Sequence, residues 1–152
     1  MVASGEAVLA FLQGVGADAR GRTLFDVLGF SDDTLERTHD YIQWLFPLTE
    51  PSQAVPDAPV LTAADVEAIQ RSSMAMVALS AAADRMMAFY NRTNHWMGPA
   101  DHNHLRITRI IKSLRLLRGE ADADQFRDLI LQRVKDRRAP VSARARGYWM
   151  TA

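Results

Sequence analysis

The residues able to do chemistry in this 152-residue chain concentrate in two stretches. The first runs His102-Asn103-His104-Leu105-Arg106-Ile107-Thr108-Arg109-Ile110-Ile111-Lys112-Ser113-Leu114. At 3.6 residues per turn, Ile107, Ile110, Ile111, Leu114 and Leu117 share an apolar face. His102, Arg106, Arg109 and Ser113 then form a polar stripe at its edge. Two guanidinium groups beside a histidine suit an anion, carboxylate or phosphate, or the positive half of a buried ion-pair network. The second stretch is Asp40-Tyr41-Ile42-Gln43-Trp44-Leu45-Phe46. Its aromatic and aliphatic density predicts burial, so the Asp40 carboxylate at its edge requires a counter-charge. Arg106 or Arg109 is the expected supplier, which places a pocket between the Asp40 helix and the Arg106 helix.

Two function classes use the same residues. As a ligand-binding site for an anionic small molecule or peptide, it draws on Arg106, Arg109, Gln43, His39, Asn103, Ser113 and Trp96. As an enzyme, Asp40 with His102 or His104 moves protons, and Arg106 and Arg109 stabilise developing negative charge. A third class, a protein-interaction domain, rests on the basic run Arg133, Lys135, Arg137, Arg138, Arg144 and Arg146. His39 falls on an apolar stripe and reads as a core histidine. No metal site is expected, because HExxH is absent and there is no cysteine. No cofactor is called for.

These residues need elements to hold them. Helices are predicted over Glu6–Gln13, Thr23–Leu28 and Ser31–Phe46, the last ending before Pro47. Four prolines make 47–59 an irregular connection. Thr62 with Asp65 resembles a capping box that opens a long central helix reaching Asn91. Its predicted buried stripe is Val66, Ile69, Ser73, Met76, Ser80, Ala83, Met87 and Tyr90. Residues 91–99 break the pattern, with His95-Trp96 as an anchor or lid. The Arg106 helix ends near Gly119, another begins with Asp122 and Gln125 as caps and ends before Pro140, and Tyr148-Trp149-Met150 forms a last turn. No strand pattern is present. The expected architecture is all-α, a compact bundle of about five to seven helices in a single domain covering 1–152.

Composition narrows the function classes. Eighteen basic and 18 acidic side chains give zero formal net charge, which gives nucleic-acid binding no support. The absence of cysteine excludes disulfides and thiolate catalysis. No transmembrane segment or signal sequence is read, so a cytoplasmic monomer or small homo-oligomer is expected. The neutral total conceals a split. Residues 1–60 hold nine acidic and three basic side chains, a net of −6, and residues 61–152 hold nine and fifteen, a net of +6.

Two motifs carry a family resemblance. THDYIQWLFPLTEPS, residues 38–52, and HNHLRITRIIKSLRLL, residues 102–117, are similar to the conserved region of the opioid growth factor receptor family. Pro59-Val60-Leu61-Thr62, Phe89-Tyr90 and Gly147-Tyr148-Trp149-Met150 fit the same pattern, over about residues 35–150. Matching positions are His39, Asp40, Tyr41, Gln43, Trp44, Pro47, His102, Asn103, Leu105, Arg106, Thr108, Arg109 and Ser113. The vertebrate pattern has a second asparagine where this chain has His104, and its linker before His102 is longer. The resemblance implies an all-α domain and an opioid growth factor receptor-like protein, and it supports an internal polar site more than a receptor role. The vertebrate member is described as a receptor for an opioid peptide that restrains growth.

Overall fold

The computed structural model describes residues 2–152. Among them are nine α-helices and one 3-10 turn. The chain is all-α as the periodicity predicts, but it has more helices than five to seven, and no single helix forms a centre. Close Cα packing divides it into two compact units, residues 1–82 and 83–152.

The first unit opens with α1 (Gly5–Leu12), capped by the Ser4 hydroxyl at the Ala7 N–H. Next come α2 (Leu24–Leu28), α3 (Asp32–Arg37) and α4 (Ile42–Leu45). The single helix predicted over Ser31–Phe46 is therefore two short ones. Thr38 is extended (φ −96°, ψ 130°), which stops α3. The Tyr41 hydroxyl donates back to the Leu35 carbonyl at 2.8 Å, folding the break onto the end of α3. Buried Val8, Phe11, Leu12, Leu35, Tyr41, Trp44, Leu45 and Phe46 form much of this unit's core. Phe11 meets Trp44 edge to face at 5.6 Å between centroids. The proline-rich connection is pinned where the Leu61 N–H donates to the Leu48 carbonyl at 2.8 Å.

The long central helix of the sequence reading is α5 (Ala63–Arg71) followed by α6 (Ser73–Arg92). The Thr62–Asp65 capping box is present at the start of α5. Ser72 makes the break. Its backbone is extended (φ −92°, ψ 108°). Its hydroxyl accepts from the Ala75 N–H at 3.2 Å and from Gln13 Nε2 at 3.1 Å. It is an N-cap set inside a run that stays helical in composition on both sides. The break also resets the helical phase. The buried positions of α6 are Ala75, Ala78, Leu79, Ala82, Met86, Phe89 and Tyr90, whereas Ser73 of the predicted stripe is exposed.

The second unit holds the rest of α6, the 3-10 turn His95–Met97, α7 (Asn103–Leu117), α8 (Glu120–Asp136) and α9 (Ala143–Thr151). α7 packs against both α8 and α9. Its buried Ile107, Ile110, Ile111, Leu114 and Leu117 are the predicted apolar face. Burying each such side chain is worth roughly 1.5–3 kcal/mol. The α7–α8 turn passes through Gly119 at φ +112°, a conformation that favours glycine. α8 therefore starts at Glu120, before the expected caps Asp122 and Gln125. The expected last turn at 148–150 is part of a full helix, α9, capped by Ser142.

Candidate functional site

In the second unit, the polar residues gather at the N-terminus of α7. Asp101 Oδ1 accepts from the Asn103 N–H and from Asn103 Nδ2, both at 2.8 Å, and so caps the helix with its side chain. Asn103 is fully buried. Its Oδ1 accepts from the Tyr90 hydroxyl at 3.2 Å and from an Arg106 NH1 at 3.4 Å. Arg106 is buried, at 6% exposure. The buried arginine of the predicted stripe is thus real, and the partner found here is an asparagine one turn back. His102 Nδ1 stands 3.8 Å from Asp101 Oδ1, on a side chain 44% exposed. Ser113 is buried and Arg109 half-buried.

His104 is buried at 7% exposure, and its contacts fix which ring nitrogen donates. Nε2 lies 2.7 Å from the Trp96 carbonyl, which only accepts. Nε2 therefore carries a proton. A relay of backbone carbonyls extends from there. Trp96 Nε1 donates to the Tyr90 and Thr93 carbonyls, and Trp149 Nε1 donates to the His104 carbonyl at 3.1 Å. The Trp149 ring meets the imidazole edge to face at 5.6 Å. Trp96, fully buried, is an anchor. It locks the 91–99 turn onto the end of α6, helped by Arg133 Nε on the Tyr90 carbonyl at 2.9 Å.

Beside His104 lies a cavity of about 160 Å³. Its polar lining comes from Asp101, His104, Thr108, Ser142, Arg144 and Tyr148, with Leu105 and Pro99 among the apolar walls. The Arg144 guanidinium reaches the Tyr148 hydroxyl at 3.3 Å and lies 5.7 Å from its ring centre. Thr108 Oγ1 donates to the His104 carbonyl at 3.1 Å. Of the sequence candidates, only His104 lines this cavity. Arg106 and Arg109 do not. Arg144 belongs to the predicted basic run, and Thr108 and Tyr148 to the segments that carry the family resemblance, but none of the three is expected in a pocket; Asp101 and Ser142 are not expected at all, although Asp101 two residues before Asn103 and Ser142 before an alanine-rich run are legible cap signals.

In the first unit, Asp40 has partners that the sequence reading did not name. Its Oδ1 accepts from an Arg22 NH2 at 2.9 Å and its Oδ2 from Arg20 Nε at 3.0 Å. Burial would raise its pKa, but the hydrogen bonds and charges of Arg22 and Arg20 outweigh that and hold it below the ordinary carboxylate value. The counter-charge assigned to Arg106 or Arg109 comes instead from the segment before α2. Arg22 is shared with Asp18, whose side chain is fully enclosed, at 2.7 Å from Nε to Oδ2. Its own pKa is raised, because hydrogen bonds to Asp18 and Asp40 outweigh the lowering by burial. Asp40 and Gln43 do not share one helix, since Asp40 lies in the α3–α4 break. His39 lies there too and is exposed, so it is not a core histidine. Gln43 is buried at 4%, and its Oε1 has no hydrogen-bond partner among the described residues. No group of three or more His, Asp or Glu among the described residues is arranged to hold a metal ion. No helix among them is long and apolar enough to cross a membrane.

Comparison with known proteins gives a consistent picture. Residues 29–98 match the family model described as the opioid growth factor receptor conserved region. The mouse opioid growth factor receptor is 39% identical over 100 residues, covering 54% of this chain and 16% of the relative. The human receptor is 38% identical over 112 residues, 62% of this chain and 16% of the relative. Mouse opioid growth factor receptor-like protein 1 is 31% identical over 117 residues, 66% of this chain and 24% of the relative. The alignments thus span between a sixth and a quarter of the length of these relatives. No solved structure matches.

Proposed function

We propose that this chain, which carries the conserved region of the opioid growth factor receptor family, is a binding module for an anionic small molecule or the anionic end of a peptide. The observation that carries this reading is the cavity beside His104. It sets a guanidinium (Arg144), three hydroxyls (Thr108, Ser142, Tyr148) and a histidine held through its Nε2 around a space of about 160 Å³. Arg144 and the Ser142 and Tyr148 hydroxyls suit a carboxylate or phosphate oxygen, and charge-assisted donors are the strong ones; the Thr108 hydroxyl gives its proton to the His104 carbonyl and presents only an acceptor. The neighbouring Asp101 disfavours a second negative group and favours a ligand with a positive or hydrogen-bond-donating end. Arg106 and Asn103 act by holding the start of α7 rigid, so that the lining is preorganised.

The receptors named above are described as receptors, and a receptor-like role here rests on that likeness alone. The acid–base alternative draws less support. Asp40 is held ionised by two arginines, and a carboxylate so held is a poor proton donor near neutrality. The test is a titration of ¹⁵N-labelled protein with inorganic phosphate and with acetyl-dialanine. Saturating shifts at Thr108, Ser142 and the Arg144 side chain are expected at up to millimolar ligand, and they are lost in Arg144→Ala. Absence of shifts with both ligands, or shifts that survive Arg144→Ala, overturns the reading.

A further inference from the structure

The first unit carries a second, chemically different concavity. A groove of about 370 Å³ is lined by Leu12, Leu24, Phe25, Leu28, Met74 and Val77, among others. That volume lies within the ~300–1,000 Å³ of ligand pockets. Among the described residues no charged side chain lines it. Its amide, Gln13, is tied to Ser72 Oγ at 3.1 Å. Gly14 shapes one end. It sits at φ +78°, and a Cβ there would lie 3.3 Å from the Phe25 ring, so the ring closes over bare backbone.

The ridges of this groove are large apolar side chains left in water. Phe25 is 73% exposed, Met74 60% and Val77 68%. Met74, Val77 and Ala81 recur at three- and four-residue spacing along α6, on a face distinct from its buried one. A small molecule in the groove would leave the ridges wet. A helix, about 10–12 Å across with its side chains, covers them. Charge selects the kind of helix. Residues 1–82 carry eleven acidic and four basic side chains, a net of −7. Arg20 and Arg22 are held by Asp18 and Asp40, and Arg71 by Glu67. Asp26, exposed beside Phe25, accepts from the Thr23 N–H and meets no cation among the described residues. An apolar trough in an acidic body rejects acidic segments and attracts basic ones.

We infer that the α1–α2–α6 groove is a docking site for a basic amphipathic helix of another protein, which seats its apolar face over Phe25, Met74 and Val77. The recognition mode is helix-in-groove, with anchors at i, i+3 or i+4 and i+7, and Met74 supplies an adaptable surface. A second copy of this chain is a weaker occupant. Its basic helices would dock head to tail, and such contacts build open filaments unless the rotation closes. The inference does not depend on the His104 cavity.

The experiment uses the full chain and two fluorescent 18-residue peptides, one a leucine–lysine amphipathic helix and the other its leucine–glutamate counterpart. Anisotropy at low salt should show the lysine peptide binding at least tenfold more tightly than the glutamate peptide. Val77→Lys and Phe25→Ser, both at exposed positions that leave the core intact, should each weaken lysine-peptide binding at least tenfold while circular dichroism and Tm stay unchanged. Four results would overturn the inference. They are no binding of the lysine peptide, equal binding of both peptides, lysine-peptide binding indifferent to both substitutions, and concentration-dependent sedimentation without peptide that Val77→Lys abolishes. The third would mean plain surface attraction, and the last would mean a second copy fills the groove.

Discussion

Arg22→Ala should be the most instructive loss in the first unit. Asp18 has an enclosed side chain. Its Oδ1 accepts from the Arg20 and Arg22 N–H groups at 2.9 and 3.0 Å, and its Oδ2 depends on Arg22 Nε at 2.7 Å. Removing Arg22 leaves a buried carboxylate with two backbone donors and no cation. Breaking a buried pair costs ~3–5 kcal/mol, and the two surviving donors put this case near the lower end, about 3 kcal/mol. Asp40 adds little, since it keeps Arg20 and is partly exposed; exposed pairs are worth at most about 1 kcal/mol. Arg22→Lys restores the charge but cannot bridge two carboxylates in fixed directions, so about half the loss should remain. Asp18→Asn in the Arg22→Ala background removes the orphaned charge and should recover about 1 kcal/mol, a non-additivity that the pair predicts. Urea denaturation of the four proteins, followed by tryptophan fluorescence, reads these differences. A loss under ~1 kcal/mol for Arg22→Ala, or an added loss on Asp18→Asn, refutes the argument. The pH dependence supplies a second check. Asp40 is pulled below its unfolded value, so its stabilisation is present above the ordinary carboxylate range. It is lost as pH falls through the depressed folded value. That acid limb should be shallower in Arg22→Ala.

Other substitutions follow from single contacts. Ser72→Ala removes the cap of α6 and the acceptor of Gln13, and should cost ~1–2 kcal/mol in urea midpoint experiments. Trp96→Phe deletes the donor to the Tyr90 and Thr93 carbonyls and should cost ~1–3 kcal/mol, with faster amide exchange across 91–97. Gln43→Met keeps volume and removes a buried acceptor that lacks a partner, so Tm should hold or rise; a clear fall would show that the amide is satisfied in solution.

What the sequence made legible was periodicity, and what it concealed was phase and partner. The apolar face of α7 was readable because its isoleucines and leucines recur against charged neighbours. The contrast between faces alone orients that helix. α6 offers no such contrast, since alanines and methionines surround it. The 3.6-residue rule therefore finds a helix there without saying which side is buried. The extended Ser72 resets the phase, and the side left exposed becomes the ridge of a groove. Partner choice was concealed for a different reason. Arg106 had to be buried and bonded on its sequence alone, yet one of its partners is Asn103, three residues back on the same helix. Asp40 draws its cations from Arg20 and Arg22, twenty and eighteen residues earlier, in a loop with no periodic signal. Long polar side chains reach whichever partner the backbone brings near. That proximity is fixed by breaks such as Thr38–Tyr41, where a tyrosine hydroxyl bonding to the Leu35 carbonyl prevails over a helical sequence pattern. The cavity beside His104 follows the same logic. Its histidine was visible as a residue type, while the partner of its Nε2 came from a carbonyl in a turn and its cation from a helix forty residues further on.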